Sequence, residues 1–191
     1  MLERRKSYSV KADGGYYVYS HYRAEIAEDC IHRCVYCDSD ANHMGGAEAM
    51  QLDHFRPESF SEYAHLINDP NNLHYSCARC NLLKSDWWPA RGSDATHDGT
   101  DGFIDPFTED RSLYFEIASD GTITAIKPPA KYIIQLLRLN REFLRKLREL
   151  RILKTYWSRK VVEMRQKAEA GNVPEPEELV RTLSVIESLL A

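Results

Sequence analysis

Long apolar runs are absent from this 191-residue sequence. No stretch approaches the length that spans a bilayer, which argues against a membrane protein. The initial MLERRKSYSVK carries charges but no apolar stretch behind them, so we expect no secretory signal and a cytoplasmic protein. Internal repeats and low-complexity tracts are also missing, and the length suits one domain, or a small domain with an appendage.

Cysteines are few, but their spacing is informative. Four of the five form two C-x2-C pairs, Cys34 with Cys37 and Cys77 with Cys80. In the cytoplasm such pairs favour metal ligation over disulfides, and four soft thiolates suit a structural zinc ion. The 39 residues between the pairs exceed what a simple zinc ribbon requires, so we expect the interval to hold a motif of its own.

The charge is unevenly distributed. The net charge is −4, yet residues 131–167 carry +9, which leaves −13 for the rest of the chain. A basic segment on an acidic body suits a polyanionic partner. Steps of three, four and three would place four arginines on one helix face that could follow a phosphate backbone, namely Arg138, Arg141, Arg145 and Arg148. A solvated helix face, or a face for an acidic protein, explains the pattern equally well.

Alternation and composition predict short strands over 16–23, 50–55 and 73–77, and a short helix beginning within 80–88. Asp120-Gly121 is a two-residue hairpin signal between two further strand-like runs, within 111–126.

Apolar residues then recur at steps of three and four from Ile133 to Met164, which predicts one long amphipathic helix. Glycine and two prolines predict a break over 170–178, followed by a final helix over 179–190.

The interval between the cysteine pairs contains Asp53-His54 and Asn72, and Asn81 follows the second pair directly. Seventeen residues separate His54 from Asn72, and eight separate Asn72 from Asn81. With the strings LDHFRP, NNL and CARCNLLK, this pattern resembles the HNH endonucleases, in their H-N-N variant with two zinc knuckles. The resemblance covers about residues 30–88.

The resemblance implies an α+β fold: a ββα-metal core with a four-cysteine zinc site, a β-hairpin and a helical C-terminal region. The domain organisation expected from it is an N-terminal strand and helix extension over 1–28, a nuclease core over 29–107, the hairpin over 108–127 and the helical region over 128–191.

The resemblance also implies roles for the motif residues. His54 would be the general base, and Asp53 and Asn81 would bind a catalytic Mg²⁺ or Mn²⁺ ion. Asn72 would bond backbone groups of the intervening loop and fix the direction of His54. Lys84 lies one turn after Asn81, and Arg56 lies two residues after His54. Each could contact a substrate phosphate or, equally, be a surface charge.

The activity that the resemblance implies is hydrolysis of DNA at the 3′-oxygen, leaving a 5′-phosphate and a 3′-hydroxyl; RNA stays open as a substrate. Some small HNH proteins of similar motif resemble the nuclease subunit of bacterial anti-phage systems that pair a nuclease with an ATPase. This protein could be such a subunit with a partner protein such as an ATPase, although nothing in the sequence shows a partner; no membrane partner is expected.

Two other functions compete with this interpretation. A non-catalytic zinc module that binds nucleic acid or protein would need the cysteines but not His54. The second is a radical S-adenosylmethionine enzyme, because Cys30, Cys34 and Cys37 have the spacing of its iron–sulfur loop. The βα units of that family are not evident here, so Cys30 is predicted to be a buried thiol near the knuckle.

Overall fold

The structure is a computed structural model that describes residues 1–90, 92, 94–170 and 176–190. Helices and short strands are mixed, as predicted for an α+β fold. The chain divides into two units. One comprises Met1–Ile117 and Ile123–Arg141, and the other comprises Ala118–Thr122 and Glu142–Ala191. The four-part organisation expected from the sequence stays a prediction.

The N-terminal segment is helical where a strand was predicted. A 3-10 helix over Tyr19–Tyr22 leads directly into helix α1, Arg23–Asp29, so the strand prediction for 16–23 is wrong. The tyrosine-rich composition indicated a strand, but Tyr22 is fully buried and its hydroxyl bonds two backbone groups. This local anchoring lets the segment turn, and good helix formers follow it.

A ββα element forms the centre of the first unit. Strands β1, Met50–His54, and β2, Leu73–Cys77, pair antiparallel with Met50 opposite Cys77 and His54 opposite Leu73. Helix α2, Ala78–Lys84, begins immediately after β2. These elements confirm the predicted strands and the predicted short helix, although the helix begins at Ala78, before the predicted range of 80–88. Helix α2 packs back along β1: the Asn81 side chain donates to Gln51, and Lys84 donates to the His54 carbonyl. This packing brings His54 and Asn81 near one another.

Buried aromatic rings support this element. Phe55 meets Trp88 edge-on with centroids 5.0 Å apart, and Trp88 stacks on Phe103. All three rings are at least 95% buried. Each therefore contributes roughly 1.5–3 kcal/mol of hydrophobic stabilisation, and together they hold the chain that follows α2 against the strands.

The predicted hairpin is present but its loop is longer. Strands β3, Phe115–Ile117, and β4, Ile123–Ala125, pair antiparallel across residues 118–122. The loop therefore has five residues, not the two that Asp120-Gly121 suggested. Asp120 accepts a hydrogen bond from the Thr122 amide, and Gly121 takes the left-handed conformation with φ +75°. A turn closed by a side-chain hydrogen bond in this way takes more residues than a two-residue hairpin turn.

The single long helix predicted from Ile133 to Met164 is wrong. Helix α3, Ala130–Leu136, ends before Arg138, which has φ +48°, and helix α4 covers Glu142–Glu169. The break is set by tertiary contacts: the Asn140 amide donates to the Ile123 carbonyl and accepts from the Ile123 N–H. Leu137 and Leu139 flank it and are fully buried.

The second unit contains α4 and helix α5, Pro176–Leu190, which confirms the predicted final helix. The Lys160 ammonium lies 2.9 Å from the Glu178 carboxylate, and the Thr182 hydroxyl lies 3.4 Å from the Met164 sulfur. The predicted break over 170–178 falls largely on residues 171–175, outside the described residues. None of the helices in the described ranges combines the length and apolarity needed to cross a membrane.

Candidate metal centre and active-site cleft

The four paired cysteines meet in a buried cluster. The sulfurs of Cys34, Cys37, Cys77 and Cys80 all lie within 4.8 Å of one another. The Cys37 and Cys77 sulfurs are 3.9 Å apart. In a tetrahedron with zinc–sulfur bonds of about 2.3 Å, sulfurs are roughly 3.8 Å apart. Spacing and donor type therefore fit a structural zinc ion, held by the end of β2, the start of α2 and the loop before β1.

The protonation of these thiols also fits a cation site. Burial raises the pKa of Cys34, while hydrogen bonds from Cys34, Cys77 and Cys80 lower the pKa of Cys37. Four buried thiols cannot all ionise together without a counter-charge. A divalent cation supplies that charge, so metal binding and thiol deprotonation are coupled here.

Two arginines adjoin the cluster. Arg141 Nη2 lies 3.8 Å from the Cys80 sulfur, and Arg111 donates to the carbonyl of Val35, between the first two cysteines. Burial opposes the charge on Arg141, but the Cys80 sulfur outweighs it, so the pKa of Arg141 is raised. A zinc ion with four thiolates carries −2, and two guanidinium groups compensate that charge.

Cys30 is a fully buried thiol outside the four-cysteine group. Burial is the main cause that raises the pKa of Cys30, to about 12. Cys30 was predicted to be a buried thiol near the knuckle, and the structure agrees. An iron–sulfur loop would need Cys30 together with Cys34 and Cys37, but Cys30 does not belong to their cluster.

A cleft of about 370 Å³ opens beside the ββα element. Three of the predicted motif residues line it, along with further acids and an aromatic residue: Asp53, His54, Asn81, Glu58, Asp86 and Tyr19. The structure thus brings the predicted base and both predicted metal ligands to one cavity. Neither Lys84 nor Arg56 lines it.

His54 is held at one ring nitrogen. Its Nε2 lies 2.8 Å from the carbonyl oxygen of Ile67. A carbonyl oxygen only accepts, so Nε2 carries a proton. Nδ1 lies 3.5 Å from a carboxylate oxygen of Glu58, which lines the same cleft. Two acceptors therefore flank the ring, the Ile67 carbonyl at Nε2 and the Glu58 carboxylate at Nδ1.

The hydrogen bonding predicted for Asn72 is confirmed. Its Oδ1 accepts from the Arg56 amide at 2.9 Å, and its Nδ2 donates to the Arg56 carbonyl at 3.1 Å. The Asn72 side chain is buried, so both bonds are protected from water. They fix the chain two residues after His54; a catalytic role for Asn72 stays a prediction.

Asp53 lies in a buried polar network. One carboxylate oxygen lies 3.2 Å from Lys84 Nζ, and the other accepts from the Tyr36 hydroxyl. Burial and the Asp53 carboxylate raise the pKa of Tyr36, which keeps its hydroxyl a donor. A carboxylate has about four lone-pair positions, and two of them are used here. The remaining positions let Asp53 coordinate an ion while Lys84 and Tyr36 orient it.

Asn81 is the second predicted ion ligand. Its Nδ2 donates to Gln51 Oε1 at 2.7 Å. This bond fixes the amide orientation, and it leaves the amide oxygen as the atom suited to a hard divalent cation. Asp53 and Asn81 therefore fit a shared ion, although their role as ligands stays a prediction.

Lys84 is buried, whereas one of the two alternatives for it was a charge at the surface. Its side chain is fully buried, and Nζ also donates to the His54 carbonyl at 2.9 Å. The buried Asp53 carboxylate requires a cation nearby, and Lys84 supplies it from one turn after Asn81. The surface-charge prediction for Lys84 is therefore wrong, and the phosphate contact stays a prediction that competes with these bonds.

Replacing Lys84 by methionine is expected to lower the free energy of unfolding by about 3–5 kcal/mol, because Asp53 is left buried without its cation. Urea unfolding of the zinc-loaded protein measures this. Lys131→Met, at an exposed site on α3, is the matched control and should change stability by less than about 0.5 kcal/mol. Equal stability of Lys84→Met and wild type would mean that the ion pair does not form.

Arg56 is occupied by aromatic contacts. Its guanidinium lies 5.4 Å from the ring centroid of Tyr63 and 5.3 Å from that of Trp88, and it donates to the Asp94 carbonyl. Such cation–π contacts contribute roughly 0.5–2 kcal/mol. The phosphate contact predicted for Arg56 is untested and competes with these interactions.

The four arginines do not share one helix face. Arg138 and Arg141 precede α4, and Arg141 adjoins the cysteine cluster. Arg145 pairs with Asp120 at 2.7 Å, and the buried Arg148 donates to the Gly121 carbonyl at 2.6 Å. The predicted stripe is therefore wrong, because the helix breaks between its members. Nucleic-acid binding by the individual arginines stays a prediction.

Sequence reasoning missed several residues of the site. Glu58 lies four residues after His54 in a proline-containing loop, so no periodicity connects the two. Tyr36 lies between Cys34 and Cys37 in the sequence, and nothing in the sequence predicts which group its hydroxyl bonds. Tyr19 comes from a segment more than thirty residues before His54. Only the folded chain brings these three to the cleft or to Asp53.

Comparison with known families gives one match: a family model described as HNH endonuclease matches residues 34–86. The matched segment contains both cysteine pairs, His54, Asn72 and Asn81. It confirms the resemblance and shows an HNH endonuclease domain over this part of the chain. No curated protein matches the chain.

Proposed function

We propose that this protein is a zinc-stabilised HNH endonuclease that hydrolyses phosphodiester bonds in DNA. The observation that carries the proposal is the cleft in which His54, Asp53 and Asn81 meet. In its neutral form His54 would offer Nδ1 as the base, and two oxygen donors suited to a divalent ion line the same cavity. The match to the HNH endonuclease family supports this assignment.

His54 is the proposed general base. Its Nδ1 accepts a proton from a water molecule as the water oxygen attacks phosphorus. The bond between phosphorus and the 3′-oxygen breaks, and that oxygen takes up a proton from a solvent water molecule, while His54 later releases its proton to solvent. The products are a 5′-phosphate and a 3′-hydroxyl. The Ile67 carbonyl bonded to Nε2 stabilises the positive ring that this transfer creates.

Asp53 and Asn81 are the proposed ligands of a catalytic Mg²⁺ or Mn²⁺ ion. Such an ion offsets the negative charge that develops on the phosphate and the leaving oxygen. Two protein oxygens leave positions for water and phosphate, which suits these ions. Tyr36 and Lys84 hold the Asp53 carboxylate, and Gln51 holds the Asn81 amide.

The test is cleavage of supercoiled plasmid at low salt by zinc-loaded protein, with Mg²⁺, with Mn²⁺ and with neither ion added. We expect nicked product only with an added ion, and nicks that DNA ligase reseals because their ends are 5′-phosphate and 3′-hydroxyl. A parallel RNA substrate decides the nucleic-acid preference. No cleavage by folded, zinc-loaded protein would favour the non-catalytic zinc module.

The motif resemblance extends the proposal to anti-phage defence beside an ATPase subunit. Cells that carry the gene with its native flanking genes should then plate phage at reduced efficiency. The same locus encoding His54→Ala should lose this protection. Equal plating with both versions would remove the defence role without affecting the nuclease assignment.

A further inference from the structure

A segment outside the matched HNH region contacts the proposed general base. Tyr19 begins the 3-10 helix that precedes α1, and it lines the cleft. Its ring meets the His54 imidazole edge-on, with centroids 4.9 Å apart and ring planes at 67°. Aromatic pairs of this geometry are favourable by roughly 0.5–1.5 kcal/mol beyond their buried area. The contact therefore restricts rotation of the imidazole.

Tyr19 is itself fixed by two sets of contacts. Its backbone amide donates to the Asn68 side-chain oxygen at 3.0 Å. Three residues later, the buried Tyr22 hydroxyl accepts from the Tyr17 amide at 2.9 Å and donates to the Ser9 carbonyl at 2.8 Å. The turn that carries Tyr19 is thus tied to the N-terminal segment on one side and to the loop after β1 on the other.

The same loop holds the histidine. Ile67, whose carbonyl accepts from His54 Nε2, is directly followed by Asn68, which accepts from Tyr19. Two consecutive residues therefore hold both members of the ring pair. One hydrogen bond fixes which nitrogen is protonated, and the edge contact fixes the ring plane.

We propose that Ile67, Asn68 and Tyr19 form a clamp on His54, and that Tyr19 is a positioning residue for the nuclease reaction. This inference rests on the proposed function. It assigns the N-terminal segment to the catalytic apparatus, which the family match over 34–86 does not include. In the clamp, Tyr19 acts through His54 and not by holding substrate.

Removing the Tyr19 ring should slow the chemical step. Tyr19→Ala is expected to lower kcat by about tenfold to a hundredfold with little change in KM, since small misplacement of a catalytic group has effects of this size. Tyr19→Phe keeps the ring edge and should recover most of kcat. Tyr17→Ala is the matched control: its ring stacks on His21 at 4.3 Å and does not line this cleft.

The His54 ring can be observed without any activity. Long-range ¹H–¹⁵N spectra of wild type at alkaline pH, with His54 assigned by its loss in His54→Gln, should show the tautomer protonated at Nε2. Without the Tyr19 ring the imidazole can rotate away from the Ile67 carbonyl, so Tyr19→Ala should show mixed tautomers at unchanged zinc content. Tyr17→Ala should show the wild-type spectrum.

The outcomes separate the clamp from the nuclease assignment. A wild-type His54 signal in Tyr19→Ala, unchanged kcat, or a raised KM at constant kcat would each overturn the clamp. A wild-type protein that cleaves nothing, with the His54 signal as expected, would overturn the proposed function instead.

Discussion

Cys77→Ser is expected to lose the bound zinc ion and the cooperative unfolding transition of the first unit. Serine at neutral pH offers no thiolate, so the remaining three sulfurs cannot complete the tetrahedral site. Structural zinc sites contribute roughly 10–16 kcal/mol in small domains, comparable with the roughly 5–15 kcal/mol stability of a whole domain. Without the zinc ion, the loop that carries Cys34 and Cys37 would no longer be joined to Cys77 at the end of β2 and Cys80 in α2.

Cys30→Ala is the matched control for this experiment. Cys30 is as buried as the zinc ligands but lies outside their cluster. Metal analysis and near-UV circular dichroism of both variants provide the comparison. We expect about one zinc per chain in wild type and Cys30→Ala, and none in Cys77→Ser. Wild-type zinc content and folding in Cys77→Ser would contradict the four-cysteine site.

The cysteine cluster was predictable because its ligands follow a local rule. Each C-x2-C pair places two sulfurs within one turn of chain. The alternation in 50–55 and the strand-like composition of 73–77 indicate the strands that bring the pairs together. The ββα element and the meeting of His54, Asp53 and Asn81 were implied by the resemblance of the motif to the HNH endonucleases.

The environment of Asp53 was not predictable from those signals. Its partners, Tyr36 and Lys84, lie 17 and 31 residues away, and each also fits a simpler role in the sequence. Tyr36 could be a packing residue and Lys84 a surface charge. Only the packing of α2 on β1 shows that Lys84 must neutralise a buried carboxylate.

The helix break at 137–141 was hidden for a similar reason. No proline or glycine occurs there, and apolar spacing continues across it. The break depends on Asn140 pairing with the backbone of Ile123 in β4 and on burial of Leu137 and Leu139. Tertiary contacts of this kind override helix propensity, which is a weak local preference. The predicted stripe of four arginines was wrong for the same reason, because it required one continuous helix.

His54→Ala is expected to fold normally and to lose nearly all cleavage. Removing a general base lowers rates by about 10²–10⁴-fold. Stability should fall by about 1–3 kcal/mol, because the His54 side chain is only 9% exposed and its loss leaves the Ile67 carbonyl without this partner. The Lys84 bond is to the His54 backbone, which alanine keeps. Zinc content should equal that of wild type, since the four sulfurs are untouched.

His65→Ala is the matched control, because His65 is exposed in the loop between β1 and β2 and does not line this cleft. It should cleave at the wild-type rate. A loss in both variants would indicate damage to the loop and not removal of the base.

The most direct test of the account is the plasmid-nicking rate of wild type, His54→Ala and His65→Ala, each zinc-loaded, in Mg²⁺ at low salt. We expect ion-dependent nicking by wild type and His65→Ala, and a loss of about 10²–10⁴-fold in His54→Ala. Equal nicking by His54→Ala and wild type would contradict the assignment of His54 as the base. Nicking by none of the three would contradict the nuclease itself.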